Sequence, residues 1–558
     1  MKLEAYLERF GRGWRAPLLA ALVALIAGLP GVFAMPALDR DESRFAQATA
    51  QMLETGDFVV IKFQDQPRFK KPVGIHWLQA ASVSLLSAAE NRDIWAYRIP
   101  SLLGAMLAAA ACAWGARAFF GGPTALLAGG LLGATLLLST EAFIAKTDAV
   151  LAGTATLALA AMAQAYAAAR GGAPAGRLTG LWFWLGLSTA TLVKGPVGPL
   201  IVGLTMLTLW TWDRKADWTK ALAWDWGPIL FLAIVGPWAW AVTVATDGSF
   251  WTTAIAGDLA PKLAGGQETH GAPPGYHSAL ASLLFFPGTL LIPAGLALAW
   301  RGRAEPGVRF AVAWLVPAWI VFELTPTKLA HYPLPAYGAL AWLAAAAVSR
   351  PLGAGARWTG AVLSSLAGAG LGAGVVYLLS EYGDQADVTA AAITGGLFLT
   401  AGVGGAWLLL RGATRGAVVL AGGLAALAHG FLAGAFLPGL SPLWLSQRVE
   451  TALASARLLP RQGIAPAPVA VAGYAEPSLV FALGTPTDLG GAAEAADAIA
   501  EHRPAVVEDR EAPAFRAALA ARRLTVRQVG EVRGLDYSNG DDMTLRLYVA
   551  PGQQEPQP

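Results

Sequence analysis

The sequence is 558 residues long, 55% hydrophobic and only 14% charged, with a formal net charge of +3 and a mean hydropathy of +0.49. An ordinary soluble domain carries about 25% charged residues, so the composition excludes a soluble protein, and so small a charge excess points to no nucleic-acid partner. The single cysteine, Cys112, excludes an intrachain disulfide and any cysteine-based metal cluster.

Repeated apolar runs of about 17–25 residues are what helices need to cross a bilayer. The first, 17–35, follows Lys2, Arg9, Arg12 and Arg15, which places the N-terminus in the cytoplasm. It lacks a small-residue cleavage site and reads as a retained helix, not a removed signal. Further runs lie at 98–116, 124–141, 149–168, 179–193, 196–212, 225–246, 278–300, 309–325, 333–349, 358–380, 388–410 and 416–437. Roughly thirteen spans result, with Lys194-Gly195-Pro196 as a candidate break within a re-entrant pair. Loops that alternation assigns to the cytoplasm hold Arg117, Arg170, Arg177, Arg214, Lys215, Arg301 to Arg309, Arg350, Arg357 and Arg411 to Arg415.

Two loops on the other side are too long to be connectors. The first, 36–98, contains helical-looking stretches at Glu42 to Glu54 and Ile75 to Leu86, suited to lying along the membrane surface. The second, 247–277, contains Lys262, Glu268, His270 and the turn Ala272 to Gly275. Beyond Pro438 no run is long enough to span. Residues 439–558 read as a small α/β domain, with strands at Pro468 to Tyr474 and Thr544 to Val549 and helices at 491–502 and 512–523. Counted parity puts this domain outside the cytoplasm.

Chemistry-bearing residues collect at the outer ends of the spans. Asp39, Asp41 and Glu42 sit just outside the first, where a carboxylate can serve as a general base or simply cap the helix that follows. Asp148 opens a later span and carries the same two readings. Arg68, Lys70 and Lys71 form a cationic cluster suited to phosphate, to lipid headgroups, or to solubility alone. Lys194, between two apolar runs, is costly enough so near hydrocarbon to be functional or snorkelling. Thr325 to Pro335 offers Lys328, His331 and Tyr332 between two spans, against the alternative of a proline-broken helix end with an interfacial tyrosine. His270, Tyr276 and His277 form a looser group without a metal-binding spacing. There is no phosphate-binding Walker loop and no GxGxxG after a strand, so a nucleotide-fuelled pump and a dinucleotide enzyme have no support.

Together, Asp41-Glu42-Ser43-Arg44-Phe45-Ala46, Phe69-Lys70-Lys71-Pro72, Lys194-Gly195-Pro196 and Lys328 to Pro335 resemble the ArnT-like lipid glycosyltransferases of GT-C architecture, related to protein O-mannosyltransferases. The likeness covers roughly 17–350. It implies a polytopic GT-C membrane fold with a periplasmic α/β domain, and inverting transfer from a polyprenyl-phosphate sugar to lipid A or a similar envelope acceptor. The setting it implies is the periplasmic face of a bacterial inner membrane. By resemblance, Asp41 and Asp148 match the acids beside the reacting centre, Lys71 the lysine on the donor phosphate and Tyr332 a tyrosine near the donor. Glu42, Arg44, Arg68, Lys70, Lys194, His270, Tyr276, Lys328 and His331 are expected to line the substrate site. Lys70 stands where the family often has Glu, and Phe45 where it often has Tyr. The first change weakens the case for a divalent metal and suits an acidic or neutral sugar better than aminoarabinose. Alternatives are transfer to protein hydroxyls or another envelope glycan, or a flippase for the same lipid. A transporter would place its charges near the midplane. The outer C-terminal domain, whose Tyr474, Glu476 and Tyr537 lie in turn-like stretches, is expected to cover the site without a catalytic residue.

Overall fold

A computed structural model describes residues 2–265, 271–460 and 468–552. Each expected apolar run lies in a helix or a helix pair. Eight helices are long and apolar enough to cross a membrane, or nine with one bent pair, among the described residues. The remaining runs fall short of that length: Thr179–Lys194 and Val197–Asp213 have 16 and 17 residues, and Tyr337–Val348 has 12. The outward faces of Gly227–Ala245 and Ile292–Arg301 show the solvent-averse character of lipid-facing surface. Trp240, Trp300 and Ile229 are all more than half exposed, an arrangement water would penalise and a bilayer does not.

Two runs are not the straight spans expected. The runs expected at 98–116 and 124–141 join in one 40-residue helix, Ile94–Gly133, broken between them at Gly121, whose φ of 77° and ψ of 175° only glycine adopts readily. Its second arm stops at Gly133, and Leu136–Ala142 follows as a separate short helix. The run expected at 278–300 is two pieces, Tyr276–Leu284 and Gly288–Arg301, bent by 112°. The chain also forms an unexpected amphipathic helix, Lys2–Phe10, tied by a Glu4–Arg415 ion pair to the start of the last apolar helix, Thr414–Phe431.

Small residues bring the site-bearing helices together. A Cβ on Gly153 would lie 2.4 Å from the carbonyl oxygen of Gly104, so Asp148–Ala168 and Ile94–Gly133 touch backbone to backbone. Such close approach is the usual basis of helix association in lipid, where no hydrophobic force drives helices together. The loop 36–98 folds as expected into helices Asp41–Thr55 and Gly74–Leu86. Between them the two-residue strands Lys62–Phe63 and Gln66–Pro67 pair antiparallel and deliver Arg68, Lys70 and Lys71.

Residues 470–549 build a five-stranded sheet. Asp488–Gly490, Ala470–Ala472 and Ala505–Glu508 run parallel, and Asp541–Val549 and Arg527–Asp536 complete the sheet as an antiparallel pair. Its helix Pro477–Leu483 packs on Asp41–Thr55 through Phe481, which meets Tyr97 edge-on at 5.3 Å. The sheet is thereby seated on the loop that carries Asp41.

Candidate active site

The framework is a buried ion pair. Glu42 and Arg98 are both withdrawn from solvent, with Arg98 Nε 2.8 Å from Glu42 Oε1 and Nη2 2.7 Å from Oε2. Glu42 also accepts from the amides of Leu38 and Ala145, at 2.8 and 2.7 Å. Arg98 donates onward to the carbonyls of Met35 and Pro36, at 2.6 and 2.7 Å. One carboxylate thus fixes the end of Arg15–Ala34, the start of Asp41–Thr55 and the loop before Asp148. Glu42 was expected to touch substrate, but every oxygen is spent on the scaffold.

That clamp presents a charged cluster drawn from four elements. Lys194 donates to Asp148 Oδ1, and Lys146 Nζ lies 3.0 Å from Glu141 and 3.8 Å from Asp148 Oδ2. His331 Nε2 faces Asp148 Oδ1 at 3.6 Å, and its Nδ1 lies 3.3 Å from Lys146 Nζ. Burial holds the His331 imidazole well below its ordinary value, even against the pull of Asp148. A neutral ring whose Nδ1 accepts from the Lys146 ammonium carries its proton on Nε2, toward Asp148. Burial opposes charge on Lys146, but Glu141 and Asp148 outweigh it and raise its ammonium above the usual range. Lys194 Nζ also sits 5.4 Å from the centre of the Tyr332 ring, within cation–π range.

Neither acid is a helix cap. Asp41 is the first helical residue after Arg40, and no side chain caps that helix. The Asp41 side chain is 55% exposed, 4.0 Å from Arg44. Asp148 likewise begins its helix and turns its oxygens to lysines. Beside them Lys71 Nζ lies 3.3 Å from Asp258 Oδ2, while Lys262 Nζ lies 2.6 Å from Oδ1. Burial and the neighbouring Lys262 lower the Lys71 ammonium to about 8, although Asp258 pulls the other way. Arg68 stacks over Phe45 at 5.2 Å, and Lys70 is exposed.

Two expected members stand elsewhere. Lys328 is buried and donates to the carbonyls of Glu323 and Thr325, at 2.7 and 2.6 Å. It closes the C-terminal end of Pro306–Leu324, where a cation meets orphan carbonyls and the negative end of the helix dipole. Tyr276 packs edge-on to His277 at 5.2 Å, beside Glu323, which accepts from the Gly275 and Ser278 amides at 2.8 Å. His270 lies outside the described residues. Among the described residues no group of three or more His, Cys, Asp or Glu is placed to hold a metal.

Sequence reasoning missed Arg98, Glu141, Lys146 and Asp258. Arg98 and Glu141 look like span boundaries, and Asp258 stands in a loop without a motif. Lys146 was visible two residues before Asp148, at the same membrane edge, and that proximity was the signal available.

A family model described as dolichyl-phosphate-mannose-protein mannosyltransferase matches residues 70–240. The chain is 30% identical over 307 residues to an undecaprenyl phosphate-alpha-4-amino-4-deoxy-L-arabinose arabinosyl transferase of Pseudomonas paraeruginosa, covering 54% of each. A protein of the same description from Edwardsiella ictaluri is 26% identical over 379 residues, 66% of each chain. The chain therefore spans between about half and two thirds of these curated relatives. The crystal structure of ArnT from Cupriavidus metallidurans bound to undecaprenyl phosphate superposes with a TM-score of 0.75 at 20% identity, covering 97% of this chain and 99% of that one. The ArnT-like resemblance is borne out: this chain has the ArnT-type GT-C fold, a polytopic helical membrane portion with a small C-terminal sheet.

Proposed function

We propose that the chain is a membrane glycosyltransferase that moves a monosaccharide from a polyprenyl-phosphate carrier to lipid A or a similar envelope acceptor. The proposed transfer is inverting, at the periplasmic face of the inner membrane. Residues 1–438 would form the transmembrane transferase domain, with a cytoplasmic N-terminus, and 439–558 the periplasmic cover. The observation that carries this reading is the convergence of Lys71, Lys194 and Asp148 at one end of the spans, with Asp41 close enough to act on the Lys146 ammonium beside Asp148. A lipid-carried phosphate needs cations at the membrane edge, and its acceptor needs a reachable base. The fold shared with ArnT and the arabinosyl transferase relatives support the same chemistry.

In this reading Lys71 and Lys194 hold the donor phosphate, each as a point charge. The acceptor oxygen attacks the sugar's anomeric carbon from the face opposite the phosphate. The new carbon–oxygen bond forms as the carbon–phosphate-oxygen bond breaks, polyprenyl phosphate leaves, and the configuration inverts. Asp41, the solvent-reachable acid, takes the acceptor's proton. Asp148 already accepts from Lys194 and faces Lys146 and His331, so its part is to position those cations. Lys70 and Arg68 would offer positive charge to an acidic or neutral sugar.

The match to a protein mannosyltransferase model over 70–240 favours one second reading, a protein acceptor. The deciding experiment is mass spectrometry of lipid A, other envelope glycans and periplasmic glycopeptides from cells with and without the gene. It is paired with transfer by the purified protein from an undecaprenyl-phosphate-linked sugar. A sugar-sized mass lost from lipid A supports the first reading, and one lost from peptides the second. Unaltered acceptors together with no transfer in vitro overturn both.

A further inference from the structure

The second charged centre, Lys71–Asp258–Lys262, has a feature that pairing alone does not explain. Lys71 and Lys262 reach different oxygens of one carboxylate, at 3.3 and 2.6 Å, as two donors would grip a phosphate. The three side chains are only 12–26% exposed, so the ammonium groups are held by geometry and partly stripped of water. Lys71 also lies close enough to Lys194 for the two to repel. A cradle with this much positive charge is costly when empty, and Asp258 fills it.

Asp258 is also placed to leave. It lies in Thr253–Leu259, a stretch of π-helix, whose wide turns are a poorer hydrogen-bonding arrangement than the α-helix and recur at functional sites. The loop that carries it joins the membrane helix Gly227–Ala245 to the bent pair beginning at Tyr276. Lys71 comes from the other long loop, so the contact bridges two separately anchored segments.

We propose that Asp258 is a displaceable counter-anion: it occupies the Lys71–Lys262 cradle when the site is empty and yields that place to the phosphate of the polyprenyl carrier. This rests on the glycosyltransferase reading above and deepens it. The donor is a phosphodiester with one negative charge, whereas the product, a phosphate monoester, carries about two near neutral pH. The product would therefore cling to an uncovered two-lysine cradle more tightly than the donor. Competition from the Asp258 carboxylate opposes that and speeds release. Asp258 is a positioning residue in this scheme, since it does not touch the reacting carbon.

The test is binding of undecaprenyl phosphate to the full-length protein in nanodiscs, wild type against Asp258→Asn, with uncharged undecaprenol as the control for the tail. Asn keeps the shape and removes the charge. We expect Asp258→Asn to bind undecaprenyl phosphate about ten-fold or more tightly, a change of about 1.4 kcal/mol, with undecaprenol unaffected. In turnover, donor KM and kcat should fall together. Adding Lys262→Met should cancel the gain, because one arm of the cradle is then gone. If Asp258→Asn binds undecaprenyl phosphate equally or more weakly, Asp258 merely holds the lysines in place and the proposal fails. If wild type and variant both bind undecaprenyl phosphate no better than undecaprenol, the polyprenyl-phosphate reading itself fails, and this proposal with it.

Discussion

The Glu42–Arg98 pair yields a quantitative prediction. Both side chains are fully buried, so removing either charge strands the other without water to solvate it. Breaking a buried pair in this way costs about 3–5 kcal/mol. Glu42→Gln turns an amide toward the guanidinium in place of one acceptor oxygen. Arg98→Met leaves the carboxylate with only the Leu38 and Ala145 amides, and it also frees the Met35 and Pro36 carbonyls. We expect each single variant to lose about 3–5 kcal/mol, and the double variant to lose at least about 2 kcal/mol less than the sum, since residues of one network couple by about 0.5–3 kcal/mol. Unfolding by SDS in mixed micelles, followed by tryptophan fluorescence, measures all four corners of the cycle. Additive losses, or a Glu42→Gln cost below about 1 kcal/mol, would refute the clamp and return Glu42 to the substrate site.

Three further outcomes are expected. Asp41→Asn should lower transfer by about 10²–10⁴-fold, the usual contribution of general base catalysis, with the protein still folded in membranes; near-normal turnover would remove the base role. Lys328→Met should cost about 1.5–3 kcal/mol of stability, as for a hydrogen bond to a charged group, in the same unfolding assay, and leave donor affinity unchanged; a weakened donor titration would restore Lys328 to the site. Burial, against a hydrogen bond from Ser478, raises Asp39 from its ordinary 3.8 to about 7. Between those values the folded protein keeps a proton that the unfolded chain releases, so stability falls as pH rises through the window and levels off above about 7. Asp39→Asn should flatten that slope in thermal unfolding between about pH 4 and 7.

The elements legible in the sequence were those set by local pattern. Helices expected at 42–54 and 75–86 are Asp41–Thr55 and Gly74–Leu86, because amphipathic spacing and the Gly56 stop are written within the segment. The strands near 470 and 545 were legible for the same reason, through β-branched and apolar runs bounded by turns. Arg527–Asp536, an edge strand with a mostly exposed polar face, has no such pattern and was missed, as were Asp488–Gly490 and Ala505–Glu508. The site was legible as a set of residue types at one membrane edge but not as pairs. Arg98 lies 56 residues from Glu42, and Lys71 lies 187 from Asp258; only tertiary packing sets which cation meets which acid. Lys328 misled because a lysine between two spans looks like a ligand group, while the carbonyls that consume it become a cluster only once Pro306–Leu324 has ended.

Those pairings also separate the acids by what they can still do. Glu42 and Glu323 have spent their oxygens on backbone amides, a guanidinium or a hydroxyl, and such carboxylates hold a shape. Asp148 and Asp258 each meet two lysines, which makes them poor proton acceptors but good governors of where the ammonium groups sit. Asp39 is shut against the C-terminal domain by Ser478 and by Tyr537, whose hydroxyl accepts from its amide at 2.7 Å. Asp41 differs from all of these: exposed, beside Arg44 at the limit of an ion pair, two residues from the latch to the C-terminal domain and one from the Glu42 clamp. Under the proposed function a base must meet an incoming substrate while its backbone stays fixed, and the exposure and anchored neighbours of Asp41 suit it to both demands. Loosening either neighbour should therefore impair transfer without touching the carboxylate itself, and the Glu42→Gln protein, where it remains folded, should lose turnover more than donor affinity.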